Sequence, residues 1–138
     1  MFRGFATISF FADDLAAARA WYAELLGVQP YYSFPPAPAE PGYVEFRVGD
    51  DEDELGIIDR RYAPRSAGDG PGGAVMFWHV DDLHETLATL LRMGAVEHEP
   101  LTEREAGFAT ASVVDPFGNV LGVMHNPHYL EVLARRDP

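Results

Sequence analysis

The sequence contains no cysteine among its 138 residues. Disulfide bonds, zinc–thiolate centres and cysteine nucleophiles are therefore excluded. No apolar run approaches the roughly 20 residues that a membrane-spanning helix needs. Residues 1–14 also lack the long apolar stretch of a signal peptide. These absences predict a cytoplasmic protein without a membrane partner.

Basic residues are scarce: 10 Lys and Arg face 22 Asp and Glu, which gives a formal net charge of −12. Such a surface repels phosphate backbones and anionic lipid, so nucleic acid and membranes are poor partners. A cationic or neutral small molecule is more compatible with this acidic surface. The hydrophobic fraction of 47% is enough for the core of one small domain.

The first half of the chain predicts four strands and one helix. Aromatic, β-branched or alternating segments place the strands at residues 5–12, near 28–34, 43–48 and 55–61. The helix follows an N-cap at Asp13 or Asp14 and ends at Gly27. Proline-rich residues 34–42 predict a surface loop, and residues 49–54 a charged hairpin turn.

The second half repeats this order of elements after a Gly/Pro/Ser-rich linker. Its strands are expected at residues 74–80, 95–99, 108–115 and 120–125, and its helix at 81–94. Asp13-Asp14-Leu15 recurs as Asp81-Asp82-Leu83, Gly27 as Gly94, and Leu55-Gly56-Ile57-Ile58 as Leu121-Gly122-Val123-Met124. Three anchors in the same order indicate an internal duplication.

The duplication predicts an α+β domain of two tandem βαβββ modules. We expect module 1 at about residues 4–62, a linker at 63–73, module 2 at about 74–126 and a tail at 127–138. One helix covers only one face of each sheet. Two such modules side by side predict an open, incomplete barrel or cup, and such a cleft is the usual place for small-molecule chemistry.

Three segments resemble a known family. They are Trp21-Tyr22-x-x-Leu25-Leu26-Gly27, Val80-Asp81-Asp82-Leu83 and Asp115-Pro116-Phe117-Gly118-Asn119. Over about residues 5–125 the chain resembles the glyoxalase/bleomycin resistance protein/dioxygenase (vicinal oxygen chelate) superfamily. The resemblance implies the paired βαβββ cup. It implies a divalent metal in many members and metal-free drug sequestration in others.

The resemblance places the family's metal ligands on the first and last strand of each module. Carried over to this sequence, the four positions are Thr7, Gly56, Val75 and Gly122. Val and Gly side chains have no lone pair for a metal, and one Thr hydroxyl is a poor ligand alone. The sequence therefore predicts no metal at this site and no cofactor.

Strand alternation predicts which side chains face the cup. The expected ligand pocket consists of Thr7, Ser9, Phe11, Tyr43, Glu45, Arg47, Gly56, Ile58, Arg60, Val75, Phe77, His79, Val120, Gly122 and Met124. His79 and Glu45 are the candidate catalytic residues. His79 is equally a strand histidine with a structural hydrogen bond, and Glu45 a partner in an ion pair with Arg47 or Arg60.

The leading hypothesis is a member of this family that lacks the usual metal ligands and binds a small organic molecule, cationic or aromatic. One alternative is a divalent-metal-dependent lyase, isomerase or dioxygenase with displaced ligands, best supplied by His79, Glu45 and Glu54. Another is a metal-free enzyme that uses His79 and Glu45 as acid and base. The family often forms dimers, and apolar side chains in residues 127–133 suggest a homodimer.

Overall fold

The computed structural model describes residues 1, 3, 5–63 and 70–136. The chain divides into two compact units, residues 1–69 and 70–138, which correspond to modules 1 and 2. Most of the predicted linker, residues 64–69, lies outside the described residues.

Module 1 contains a four-stranded mixed sheet with one long helix. Its elements are β1 (Thr7–Ala12), α1 (Leu15–Leu26), β2 (Tyr32–Phe34), β3 (Tyr43–Val48) and β4 (Asp53–Asp59). The strand order is β1-β4-β3-β2. β1 pairs in parallel with β4, and the remaining pairs are antiparallel.

Module 2 repeats this topology. Its elements are β5 (Met76–His79), α2 (Leu83–Arg92), β6 (Val96–Glu103), β7 (Ala109–Val114), β8 (Val120–His125) and a final helix, α3 (Pro127–Ala134). The strand order is β5-β8-β7-β6, again with one parallel pair, β5 with β8. The predicted α+β fold of two tandem βαβββ modules is therefore confirmed.

Both long helices begin with the aspartate cap that the sequence predicts. Asp14 accepts a hydrogen bond from the Ala17 N–H at 3.0 Å, and Asp82 accepts one from the Glu85 N–H at 2.9 Å. Gly27 ends α1 in the left-handed conformation, at φ 69°. A side chain is strained in this region, which explains glycine at the helix end.

Each helix covers one face of its own sheet. In module 1, the fully buried Tyr22 of α1 lies on this face, with its ring centroid 6.1 Å from that of Phe10 on β1. On β3 and β4, alternate side chains point to this face. Those that are buried and apolar are Val44, Phe46, Leu55 and Ile57. Burial of this apolar set stabilises the module.

Several element boundaries differ from the prediction. β2 begins only at Tyr32, after Pro30, which has no N–H to donate to a neighbouring strand. β6 extends to Glu103, and within the predicted tail residues 127–134 form a helix of eight residues. Leu91 of α2 is 43% exposed, because it lies about 100° around the helix from buried Leu90.

None of the helices in the described ranges is long and apolar enough to span a membrane.

Candidate functional site

The face of the module 1 sheet opposite α1, here called the distal face, carries most of the predicted pocket residues. Register places Ser9, Gly56, Glu45 and Tyr32 side by side in one row across the four strands. The neighbouring rows are Thr7, Glu54 and Arg47, and Phe11, Ile58, Tyr43 and Phe34. Alternation along β1, β3 and β4 thus follows the sequence prediction.

Tyr43 explains the glycine at position 56. A Cβ atom built on Gly56 would lie 2.6 Å from the Tyr43 hydroxyl oxygen and 2.7 Å from its Cε2 atom. The phenol ring therefore occupies the space into which a larger residue at position 56 would project. This is the position where the family resemblance implies a metal ligand.

Glu45 is the buried acid of the distal face. The residue is only 6% exposed. Its Oε1 atom is buried and has no hydrogen-bond partner among the described residues. Burial raises the pKa of Glu45, and a hydrogen bond to Glu54 raises it further, while Tyr43 and Tyr31 oppose the shift. A buried carboxyl group resists ionisation because the charged form loses its hydration.

Glu54 takes the opposite role in this carboxyl pair. Hydrogen bonds from Glu45 and Thr7 lower the pKa of Glu54, and Thr7 Oγ1 donates to Glu54 Oε2 at 3.1 Å. The opposite directions of the two pKa shifts favour a proton on Glu45, in a hydrogen bond to an ionised Glu54. The two carboxyl groups therefore act as a coupled pair.

Tyrosine rings surround this pair. The Tyr32 centroid lies 6.3 Å from that of Tyr43 and 6.4 Å from that of Tyr31. The Arg47 guanidinium carbon lies 4.1 Å from the centre of the Tyr31 ring. Burial and the negative charge of Glu45 raise the pKa of Tyr31, and burial raises that of Tyr43. The phenols stay neutral and can donate hydrogen bonds.

Arg60 departs from its predicted place in the pocket. β4 ends at Asp59, and Arg60 starts a short 3₁₀ turn at Arg60–Tyr62, so strand alternation no longer sets its direction. Its Nε atom pairs with Asp13 Oδ1 at 3.1 Å. The sequence suggested an ion pair of Glu45 with Arg47 or Arg60 as its structural role. Neither ion pair is present among the described residues.

The distal face of module 2 carries the second half of the predicted pocket. β5 and β8 bring together Phe77 with Gly122, and His79 with Met124. Val120 also lies on β8 and is buried, whereas Val75 precedes β5 and is 37% exposed. A Cβ atom on Gly122 would lie 2.6 Å from the Met76 carbonyl oxygen and 2.7 Å from Phe77 Cδ1.

His79 is held by its own module. Its Nδ1 atom accepts a hydrogen bond from the Asn126 N–H at 3.0 Å, and its ring stacks on Tyr129 with centroids 4.8 Å apart. A ring nitrogen that accepts carries no hydrogen, so the neutral imidazole carries its hydrogen on Nε2. Nε2 is then a donor, which weighs against His79 as a general base.

The four positions implied by the resemblance do not fit a divalent metal. Thr7 already donates to Glu54, Val75 offers no donor atom, and the side-chain space at Gly56 and Gly122 is taken by other groups. Within residues 1, 3, 5–63 and 70–136, no group of three or more His, Asp or Glu side chains is placed to hold a metal ion. Such sites need three or four donors.

Sequence reasoning did not assign Tyr31, Tyr32, Phe34 or Ser112 to the two faces. Tyr31 and Tyr32 were not assigned because a three-residue strand shows no periodicity; pairing it with β3 would have placed Tyr32 beside Glu45. Ser112 was also missed. It pairs with Gly122 as Glu45 pairs with Gly56, and it is 1% exposed. The internal repeat could have identified Ser112, because it matches Gly122 with Gly56 and so matches their strand partners as well.

A cavity of about 540 Å³ lies elsewhere in module 1, at the start of α1. Asp13, Arg19, Glu40, Asp59 and Arg61 are among its lining residues. Asp59 accepts hydrogen bonds from the Arg61 backbone and guanidinium at 2.9 to 3.1 Å, and these bonds lower the pKa of Asp59. The cavity contains none of the predicted pocket residues.

A family model described as Glyoxalase/Bleomycin resistance protein/Dioxygenase superfamily matches residues 4–123. No curated protein is similar enough in sequence to match the chain. Among solved structures, a protein of Agrobacterium tumefaciens is 23% identical with a TM-score of 0.71, over 90% of this chain and 98% of its own.

Two further structures carry descriptive names. A glyoxalase/bleomycin resistance protein from Catenulispora acidiphila is 22% identical with a TM-score of 0.60, and covers 89% of this chain and 98% of its own. A bleomycin resistance determinant encoded on the transposon Tn5 is 20% identical with a TM-score of 0.61, and covers 91% and 99%. At these identities the likeness concerns the fold.

Proposed function

Since the chain belongs to the glyoxalase/bleomycin resistance protein/dioxygenase superfamily, we propose that it binds a small organic molecule on the distal face of module 1. The ligand is cationic or aromatic, and it is held without the metal ligands usual in the family. The observation that carries this proposal is the pair of buried Glu45 and half-buried Glu54, with Tyr31, Tyr32 and Tyr43 around it.

The chemistry of this surface suits an organic cation. Phenol rings attract cations through their electron-rich faces, and they also stack on flat apolar groups. Two carboxyl groups against the single charge of Arg47 leave a net negative charge when both are ionised. The overall charge of −12 adds long-range attraction for a cation.

A metal-free acid–base enzyme is the second candidate. Glu45 supports it, because burial raises the pKa of its carboxyl group, and carboxyl groups with a raised pKa are typical proton donors and acceptors in catalysis. His79 supports it less, since its Nδ1 atom is engaged by Asn126. The metal-dependent alternative needs a third ligand beside Glu45 and Glu54, and the described residues supply none.

The binding proposal is tested by measuring affinity for benzyltrimethylammonium, which is both cationic and aromatic, by calorimetry in EDTA. Tyr32→Ala removes an exposed ring of the distal face, and we expect it to weaken binding about tenfold. Tyr62→Ala removes a ring outside the strands, 66% exposed, and serves as the matched control. Equal affinity for the Tyr32→Ala variant and the parent protein would contradict the proposed site.

A homodimer and a cytoplasmic location remain predictions for this protein. Both are checked on the native chain, by light scattering coupled to size exclusion and by cell fractionation.

A further inference from the structure

We propose that Glu45 makes the distal face of module 1 selective for ammonium ligands that carry at least one N–H. This inference rests on the proposed function and narrows its ligand class. It distinguishes protonated primary, secondary and tertiary amines from quaternary ammonium ions of the same charge.

The argument starts from the unpartnered oxygen. Glu45 Oε1 is buried and has no hydrogen-bond donor among the described residues. A buried acceptor left without a donor destabilises a protein, because it has lost its hydration without gaining a hydrogen bond. A ligand that supplies an N–H at this position removes that cost, whereas a ligand without one leaves it in place.

Two neighbours of Glu45 in the sheet are exposed tyrosines. Tyr32 is the register partner of Glu45 across β2 and β3, and the Tyr31 N–H donates to the Glu45 carbonyl oxygen at 3.0 Å. Tyr31 and Tyr32 are 45% and 46% exposed. A ligand can therefore contact these two rings from solvent while its ammonium group is directed toward the carboxyl pair.

Charge and hydrogen bonding act together in this selection. Tyrosine rings attract a quaternary ammonium and a protonated amine alike, so cation–π attraction does not separate them. A hydrogen bond from a charged N–H donor to a carboxylate does separate them. Such a bond is stronger than a hydrogen bond between neutral groups. The selectivity therefore belongs to Glu45, and the rings supply general affinity.

Ligand binding is coupled to the ionisation of Glu45. In the free protein the carboxyl group resists ionisation because it is buried and bonded to Glu54. A bound ammonium stabilises the carboxylate and lowers its pKa. Affinity for the amine then rises with pH across the range in which free Glu45 loses its proton, and protons are released on binding.

The test uses a matched pair of probes, benzylammonium and benzyltrimethylammonium, titrated into the full chain in EDTA. We expect the parent protein to prefer benzylammonium by about tenfold or more. Glu45→Gln keeps the size of the side chain but removes its charge, and it should abolish most of this preference. Glu24→Gln, which removes one charge from the exposed surface of α1, should leave the preference unchanged.

The outcomes separate the inference from the function on which it rests. If the parent protein binds the two probes with equal affinity and the Tyr32→Ala variant loses affinity for both, the inference is overturned. The proposed binding function is then left intact. Absence of binding by both probes overturns the two together. Proton uptake or release is measured on the parent protein by calorimetry in two buffers, so the inference stays testable even if Glu45→Gln does not fold.

Discussion

Glu45 combines two properties that folded proteins rarely tolerate in one side chain: it is ionisable and almost fully buried. Alternation along β3 predicted its direction correctly, because Val44 and Phe46 on either side are apolar and face α1. Among the described residues no arginine forms a salt bridge with it. This was not predictable, since the sequence cannot show that Arg60 leaves the strand and pairs with Asp13.

The raised pKa of Glu45 predicts a pH-dependent effect of Glu45→Gln on stability. Below the ordinary pKa of 4.5, the carboxyl group is protonated in both folded and unfolded chains, so the variant and the parent should unfold alike. As pH rises, the unfolded chain ionises first and the parent loses stability relative to the glutamine variant.

We therefore expect Glu45→Gln to be the more stable protein at pH 8, by on the order of 1 kcal/mol, with the difference vanishing near pH 4. Urea denaturation at both pH values checks this. Glu24→Gln is the control. A glutamine variant that is less stable than the parent at pH 8 would show that the Glu45 carboxylate is stabilised in the fold.

The two glycines at the implied ligand positions predict a graded response to alanine. At Gly122 the added Cβ meets the Met76 backbone oxygen at 2.6 Å, and that oxygen cannot move without disturbing the pairing of β5 with β8. At Gly56 the obstacle is the Tyr43 ring, which is a side chain and can shift.

Overpacking of this kind costs about 1–3 kcal/mol. We expect Gly122→Ala near the upper end and Gly56→Ala near the lower end, measured by urea denaturation. Gly72→Ala, with no atom within 4 Å of its added Cβ, should change stability little. A reversed order for Gly56 and Gly122 would mean that the Tyr43 ring is fixed more firmly than the backbone of β5.

At the scale of elements, some segments were predicted to the residue and others were not. β3 and β8 match their predicted bounds, because their alternating or apolar runs are flanked by glycine-, aspartate- or proline-containing turns. β2 could not be located well, since three residues carry no periodic signal. α3 lies in the segment predicted as a tail and begins at Pro127, and so short a helix depends on packing, which composition does not show.

The helix α3 depends on contacts with His79 for part of its stability. The imidazole accepts the Asn126 N–H and stacks on Tyr129, and Asn126 also caps α3 by accepting from the Tyr129 N–H at 3.0 Å. His79→Ala should therefore speed amide hydrogen exchange in residues 127–134 by about fivefold or more, the effect of losing roughly 1 kcal/mol of local stability.

His84→Ala is the matched control for this prediction, because His84 is an exposed histidine on α2. Exchange in α3 should not respond to it. Nitrogen NMR of the parent protein should also show His79 with its hydrogen on Nε2. Unchanged exchange in the His79→Ala variant would mean that α3 is held by other contacts.

At the scale of the whole molecule, the internal repeat was the most informative signal in the sequence. It predicted two modules of the same topology, and it paired Gly56 with Gly122 before either position had a structural explanation. The ligand could not be predicted in the same way, because Tyr31 and Tyr32 reach Glu45 only through the pairing of β2 with β3.

The repeat also shows how the modules have diverged. Equivalent positions beside the two glycines hold Glu45 in module 1 and Ser112 in module 2. Both residues are buried, but only module 1 has the acid and the surrounding tyrosines. The proposed ligand class therefore belongs to module 1.

The central claim is that module 1 binds an organic ammonium ion on its distal face without a metal. The most direct test is a titration of isotope-labelled protein with benzylammonium in excess EDTA, followed by amide NMR. Saturable shifts concentrated in residues 31–34, 43–48 and 53–56 are the predicted result. Binding that disappears with the chelator and returns with a divalent metal, or shifts confined to other residues, would contradict it.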